Sequence, residues 1–237
     1  MDYPIRSAEV QQCFAEGDAL LAGSRCLVCL GDPLTLAAVA LSLKDWVYWA
    51  VTTEEEGLRI ILEESVDFLI TSEDLEQGFG MNLIHQAKRN SPDINCLLFL
   101  RRETQAVVRD ALDVGADGVI FVSSLCRLGD GDFMRALRAV SNGSTYFPKS
   151  IRATAGYSEC EQWRTQPLPA ELTERERQVL FLLSAGATNK EIAERLIVSA
   201  ETVKSHVSAI IGKLGVRDRT AAAVLAIKAG LDWPVTI

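Results

Sequence analysis

Five short apolar runs alternate with five helical patterns between residues 25 and 147, and this alternation constrains the fold more than any other feature. The apolar runs lie at 25–30, 46–51, 68–71, 96–100 and 119–122. Most are continuous rather than alternating, which is typical of strands buried on both faces of a parallel sheet. The helices between them would cover both faces of that sheet. The pattern predicts a doubly wound α/β domain with a five-stranded parallel sheet, similar to flavodoxin or a receiver domain.

Three further segments surround this predicted domain. Residues 1–24 contain a helical pattern at 8–21, so we expect an N-terminal helical extension. Residues 148–170 carry three prolines and little periodicity, which predicts a linker. Only helical patterns follow, so residues 171–237 are expected to form a separate all-α domain.

The start signals of the C-terminal helices are unusually clear. Thr173 and Glu176 form one capping-box pattern, and Thr188 and Glu191 form a second. Ser199 is placed to cap a longer helix that follows a tight turn at 197–198. A short helix, a tight turn and a longer helix predict a helix-turn-helix motif.

The longer helix, predicted over residues 200–214, has two contrasting faces. One face is apolar and would pack against the preceding helices. The other carries small polar residues and one lysine near the start of the helix. Small residues allow a helix to approach the major groove of DNA, and a lysine there can reach a guanine edge. An ordinary helical bundle would show the same apolar face, so this pattern alone leaves both interpretations open.

Residues 172–231 closely resemble the helix-turn-helix domain of the LuxR/NarL family of bacterial regulators. The resemblance lies in the stretches LTERE, NKEIAERL, SAETVKSH and KLGVRDR. It implies base contacts on the recognition helix by Lys204, Ser205 and Ser208. It implies positions near the phosphate backbone for Lys190, Thr202, His206 and Lys213, and we add three flanking candidates for phosphate contact: Asn189, Arg217 and Arg219. The final helix, at 220–229, commonly makes the dimer contact in this family.

Two positions depart from the family pattern. Gly212 stands where a basic or bulky residue is usual, and Ser208 stands where lysine or asparagine is frequent. Fewer cations predict weaker and less salt-dependent DNA binding. We therefore expect that dimerisation or a partner is needed for useful affinity.

The net charge of −8 does not exclude a DNA-binding function, because the acidic residues are unevenly distributed. Basic and acidic side chains nearly balance after residue 171. The acidic excess therefore belongs to the N-terminal part of the chain.

Residues 25–147 resemble the receiver domain of response regulators, most clearly at 115–118 and 136–147. A working receiver holds Mg²⁺ with an acidic pair after its first strand and is phosphorylated on an aspartate after its third. A Thr or Ser and a Lys follow the fourth and fifth strands. Alignment from local anchors places other residues at all five positions. Leu30 and Gly31 stand at the acidic pair, with Asp32 one place late. Ser72 stands at the acceptor, Leu100 at the Thr or Ser position, and Val122 at the Lys position. We therefore predict a pseudo-receiver without phosphoryl chemistry, metal or cofactor.

Acidic residues and cysteines offer two alternative chemistries for this domain. Asp32, Glu73 and Asp74 would form a shifted acidic site able to bind a metal and accept phosphate, if a bulge brought them together. A solvated acidic rim is the interpretation we prefer.

Cys26 and Cys29 form a CxxC pattern on a strand, where their Cα atoms would be ~10 Å apart, beyond the ~7 Å limit for a disulfide. We expect them to pack in the core.

These features together predict a sequence-specific, DNA-binding transcription regulator that forms a homodimer on double-stranded DNA. The receiver is expected to serve dimerisation, partner docking or signal docking through residues 104–140. The alternative is an adaptor that acts on RNA polymerase or another regulator and binds DNA weakly. No nucleophile–base pair or phosphate-binding glycine loop indicates an enzyme. The absence of a long apolar run or leader pattern predicts a cytoplasmic protein, and the family resemblance implies that it is bacterial and associated with the nucleoid.

Overall fold

The computed structural model describes residues 8–43, 45–125, 131–155, 172–229 and 231. Within them, five strands form one parallel sheet in the order β2-β1-β3-β4-β5. The strands are β1 Cys26–Cys29, β2 Val47–Val51, β3 Phe68–Ser72, β4 Asn95–Leu100 and β5 Gly118–Phe121. This confirms the doubly wound α/β fold predicted from the apolar runs.

Helices cover both faces of the sheet. One face carries α1 Ala8–Leu21, α2 Pro33–Ser42 and α6 Asp132–Ser141. The other face carries α3 Glu54–Glu63, α4 Gly80–Asn90 and α5 Gln105–Asp113. Since side chains alternate along a strand, each strand supplies both cores.

The two cysteines of the CxxC pattern lie in different cores. Cys26 faces the core below α1, α2 and α6, and Cys29 faces the opposite core. Both are buried free thiols, and burial raises the pKa of Cys29 to about 12 and that of Cys26 well above its usual range. Their side chains are core packing, as predicted, and their thiols stay protonated at neutral pH.

Part of the predicted linker is helical. Residues Lys149–Thr154 form α7, which packs on α5 and β5 with Ile151 fully buried. Six residues are too few to show a helical period, and such a short helix is stabilised by tertiary packing rather than by its own propensity. The rest of the predicted linker lies outside the described residues.

The C-terminal domain has the predicted helices: α8 Glu174–Ser184, α9 Asn189–Leu196, α10 Ala200–Leu214 and α11 Arg219–Lys228. Both capping boxes are formed, and the Ser199 hydroxyl accepts a hydrogen bond from the Thr202 N–H at 3.0 Å. The turn between α9 and α10 places Ile197 in the left-handed region, with φ of +54°. These helix ends fix the geometry of the helix-turn-helix.

The two domains share a continuous apolar core, and α11 packs on both α8 and α5. The Thr220 hydroxyl donates to Asp117 Oδ1 at 2.6 Å, across the interface. Gly186, at φ of +84°, abuts the Thr145 carbonyl, and a Cβ there would lie 2.7 Å from that oxygen. The interface therefore involves backbone fit as well as side chains. Among the described helices, none has the length and apolar character needed to cross a bilayer.

Candidate functional site

Three side chains of α10 form an exposed surface, here called the recognition face: Lys204, Ser205 and Ser208. Val203 and Val207, on the other side of the helix, are buried against the rest of the domain. The Ser205 hydroxyl donates to the Glu201 carbonyl at 3.1 Å. Lys204 is thus the long, charged donor of this face, and the small serines leave the helix surface open to a close approach.

Some predicted phosphate contacts lie on exposed helix starts. Lys190 and Thr202 are exposed in the first turns of α9 and α10, and His206 is half-buried on α10. Backbone N–H groups at the start of a helix favour an anion. Lys190 and Thr202 are therefore suitably placed for a phosphate group.

Lys213 has an intramolecular partner. Its ammonium group contacts the two carboxylate oxygens of Glu176 at 2.7 and 2.8 Å, joining α10 to the start of α8. The Lys213 hydrogen bond, together with the Thr173 N–H, lowers the pKa of Glu176 to about 2. The charge of Lys213 is thus largely neutralised within the domain.

The other predicted phosphate contacts also have internal partners. Arg219 is mostly buried, and this burial lowers the pKa of its guanidinium to about 10. The guanidinium donates to Asn189 Oδ1 at 3.2 Å and to the Ala187 carbonyl at 3.3 Å. Arg217 pairs with Asp218 at 3.0 Å and lies against Gly115 of the receiver domain. The contacts of Arg219 join α11 to the start of α9, whereas Arg217 stays exposed beside its sequence neighbour Asp218.

The departure at position 212 has no steric cause in this structure. Gly212 is exposed, and a Cβ built on it would meet nothing within 4 Å. A larger or basic residue would fit there. The small number of exposed cations on α10 is therefore a property of the sequence and not of crowding.

At the carboxyl edge of the sheet, Ser72 occupies the end of β3, where the phosphoryl acceptor was expected. Its hydroxyl accepts from the Gly31 N–H at 3.2 Å and donates to the Asp74 carbonyl at 2.8 Å. A hydroxyl with a donor and an acceptor already in place acts as a bridge between β1 and the loop after β3.

The backbone after β3 fills the space beside Gly31. A Cβ at Gly31 would lie 2.5 Å from the Asp74 carbonyl oxygen and 2.7 Å from the Cα of Leu75. Leu30 and Val122 present apolar side chains to the same edge. Leu100 does not, because it is fully buried in the core on the α5 side of the sheet.

The acids of the proposed shifted site have separate roles. Asp32 caps α2 by accepting from the Thr35 N–H at 2.7 Å, and hydrogen bonds from Thr35 lower its pKa. Glu73 is buried and accepts from the N–H groups of Arg101 and Arg102 at 3.0 and 3.1 Å. Within the described residues, no group of three or more His, Cys, Asp or Glu side chains is placed to hold a metal ion.

Two features escaped the sequence reasoning. Asp117 is buried and accepts from Lys88 at 2.7 Å, from the Cys96 N–H at 2.8 Å and from Thr220. The second feature is a largely apolar cavity of about 780 Å³ between α2 and α6. An aspartate in a Gly-Ala-Asp-Gly sequence gives no local sign of such partners, and a gap between two helices has no sequence pattern.

Comparison with known proteins identifies the family. Residues 170–226 match the model of the luxR family of bacterial regulatory proteins. The DNA-binding transcriptional activator DevR/DosR of Mycobacterium tuberculosis is 31% identical over 160 residues, covering 68% of this chain and 72% of that protein. The transcriptional regulatory protein LiaR of Bacillus subtilis is 33% identical over 174 residues, covering 72% and 79%.

A solved structure of the Salmonella typhimurium response regulator RcsB has the same fold. It is 22% identical, covers 84% of this chain and 96% of that chain, and has a TM-score of 0.50. Its resemblance extends over both domains. The chain therefore belongs to the LuxR family of bacterial regulatory proteins, as a two-domain response regulator with a C-terminal helix-turn-helix.

Proposed function

We propose that this chain is a sequence-specific DNA-binding transcription regulator whose receiver domain works without phosphorylation. The observation that carries the proposal is a contrast between the two domains. The recognition face of α10 is exposed, whereas Ser72 stands at the predicted acceptor position and the backbone of residues 74 and 75 packs beside Gly31.

Double-stranded DNA is the partner that α10 suits. Lys204 would read a base edge while Ser205 and Ser208 let the helix approach the groove. Lys190 and Thr202 would contact phosphates. Because Lys213 and Arg219 have partners inside the chain, one copy offers fewer cations to DNA than its sequence suggests, so we expect two copies to bind together.

The receiver would then serve dimerisation or the docking of a partner or signal. In this structure α11 and α7 lie against α5, and α1 lies against α6. A dimer through residues 104–140 would have to use the surface that these helices leave open. We expect the protein to work in the bacterial cytoplasm, on the nucleoid.

A phosphorylation-independent receiver is supported by the chemistry at its edge. A serine hydroxyl cannot form the acyl phosphate of a response regulator, and Ser72 is already hydrogen bonded on both sides. Apolar Val122 stands where a lysine would offset the phosphoryl charge.

We expect no phosphoryl adduct when the full chain is incubated with acetyl phosphate and Mg²⁺ and weighed by intact-protein mass spectrometry. The Ser72→Asp variant is the matched comparison, and it should also stay unmodified, because no acidic pair at residues 30 and 31 would hold Mg²⁺ beside it and Val122 stands in place of the lysine. An adduct on the wild-type chain at Asp32, Glu73 or Asp74 would contradict the proposal and support the shifted acidic site.

We expect Lys204→Ala to weaken binding to the DNA sequence that the wild-type chain selects from a random pool, by roughly 10- to 100-fold. The substitution removes the long donor of the recognition face without touching the buried side of α10. Fluorescence anisotropy with selected and unrelated DNA measures the change. Lys190→Ala is the matched comparison and should weaken binding to both DNAs alike. The slope of log affinity against log salt concentration should become smaller in magnitude by about one. Unchanged binding by Lys204→Ala would show that the recognition face is misassigned.

The second candidate function is a protein-interaction adaptor acting on RNA polymerase or another regulator. The observation that favours it is the internal use of Lys213, which leaves Lys204 as the exposed lysine of α10 in this structure. A random DNA pool from which the wild-type chain enriches no sequence would support the adaptor instead.

A further inference from the structure

The cavity between α2 and α6 opens at the carboxyl edge of the sheet. Its volume of about 780 Å³ lies within the range of ~300–1,000 Å³ that is usual for small-molecule sites. Ligands of open parallel sheets bind at this edge, beyond the ends of the strands. The position and the size of the cavity both suit a small organic molecule.

The packing of the helices explains why the cavity exists. On this face α2 packs on β1 and β2, and α6 packs on β4 and β5. The carboxyl half of the central strand β3 lies between them, so Ile70 forms part of the floor with Leu30 and Phe99. The gap is therefore built into the fold rather than formed by one exposed side chain.

The walls of the cavity are apolar on both sides. The sequence of α2, PLTLAAVALS, is apolar almost all round, as is normal only for a helix that is covered on every side. Leu34 and Ala38 of α2 line the cavity, and Leu34 is 79% exposed at its mouth. Leu125 and Phe133 stand on the opposite side. A molecule in the cavity would cover this apolar surface.

The charges at the mouth of the cavity select against anions. Asp32, Glu73, Asp74 and Arg101 line it, and Arg102 pairs with Glu73 and lies 4.0 Å from Asp74. Three carboxylates thus face two guanidinium groups, which leaves a net negative charge at this edge. A neutral or cationic polar end would be attracted to this mouth, and a phosphate or sulfonate would be repelled.

We propose that this cavity binds an apolar small molecule whose polar end is neutral or cationic, such as an aryl amine. The role of this ligand as a signal rests on the proposed function, in which the receiver would respond to a bound small molecule instead of a phosphoryl group. The binding assay below needs neither DNA nor a phosphodonor. Its failure is thus distinguishable from a failure of DNA binding or from phosphorylation of the chain.

Two dyes with the same skeleton test the proposal on the full chain. N-phenyl-1-naphthylamine is neutral, and 1-anilinonaphthalene-8-sulfonate adds one sulfonate. Both become more fluorescent in apolar surroundings. We expect saturable binding of the neutral amine to one site per chain, and about tenfold weaker binding of the sulfonate because of the carboxylates at the mouth.

Two pairs of variants on α2 locate the bound dye. Ala38→Trp places an indole into the cavity and should lower the affinity of the neutral amine at least about tenfold, whereas Ala37→Trp, on an exposed neighbour outside the cavity, should change it less than about twofold. Leu34→Glu and Leu41→Glu form the second pair. Both leucines are exposed, at 79% and 77%, but only Leu34 lines the cavity.

The second pair keeps the test valid if a tryptophan disturbs folding, because a glutamate at an exposed position leaves the core intact. Circular dichroism of each variant checks the fold. Loss of binding in Leu34→Glu alone would support the site. No saturable binding of the neutral amine, equal binding of the sulfonate, or equal effects within each pair would overturn the proposal. Loss of a wild-type dimer in Ala38→Trp, seen by sedimentation, would assign the cavity to a second copy of the chain and overturn it as well.

Discussion

Replacing Gly31 with aspartate is expected to destabilise the receiver domain by about 2–3 kcal/mol, although it restores an acidic residue at a metal position of working receivers. The physical reason is the backbone contact: a Cβ at this position would lie 2.5 Å from the Asp74 carbonyl oxygen. Backbone atoms cannot turn aside as a flexible side chain can, so the loop after β3 would have to move. Urea unfolding of the two proteins under identical conditions measures the difference.

Two alanine variants show how much of the loss comes from crowding by the added Cβ rather than from the charge of the aspartate. Gly31→Ala adds only the Cβ and should account for most of the loss. Gly212→Ala adds a Cβ where nothing lies within 4 Å, so it should stabilise α10 by about 0.5–1 kcal/mol. Wild-type stability in Gly31→Asp would mean that the loop after β3 moves freely and that residue 31 tolerates an acidic side chain.

Asp117→Ala is expected to have the largest effect on stability, about 3–5 kcal/mol. The substitution leaves the ammonium group of Lys88 buried without the carboxylate that lies 2.7 Å away. It also removes the acceptor of the Cys96 N–H, at the start of β4. An unpaired buried charge costs far more than a lost exposed ion pair. Thermal or urea unfolding of the full chain measures the loss.

Thr220→Val is the matched control because it removes only the hydrogen bond from Thr220 to Asp117, one of several between the domains. It should cost about 1 kcal/mol and leave the Lys88–Asp117 pair in place. Asp117→Asn, which keeps an acceptor but not the charge, should fall between the two. Equal losses for Asp117→Ala and Thr220→Val would show that the carboxylate acts at the interface and does not stabilise the sheet.

Much of the fold could be predicted from the sequence because its signals are local. Strands buried on both faces of a sheet appear in the sequence as apolar runs. Their alternation with helices along the chain predicts a doubly wound sheet. Each of Thr173, Thr188 and Ser199 has its capping partner three residues away. Local partners of this kind do not depend on the tertiary structure.

The partners of the charged side chains could not be predicted, because they are distant in sequence. Lys213 meets Glu176 from 37 residues away, and Thr220 meets Asp117 from 103. Lys213 and Arg219 were therefore predicted to contact phosphates, although their partners Glu176 and Asn189 lie within the domain. Leu100 was placed at the edge of the sheet for a related reason: alignment gives a strand position but not the face on which its side chain is buried.

The packing of α11 on α5 would couple separation of the domains to DNA binding if α11 also forms the dimer contact. If two copies pair through α11 on DNA, only molecules with separated domains are competent, and the apparent dissociation constant equals the intrinsic one divided by the competent fraction. A chain that is about 1% open would bind about 100-fold more weakly than its isolated C-terminal domain. Loss of the Asp117–Thr220 contact, worth about 1 kcal/mol, would raise a small open fraction about fivefold. A signal at the receiver would then change DNA affinity by changing a population, with no new contact to DNA.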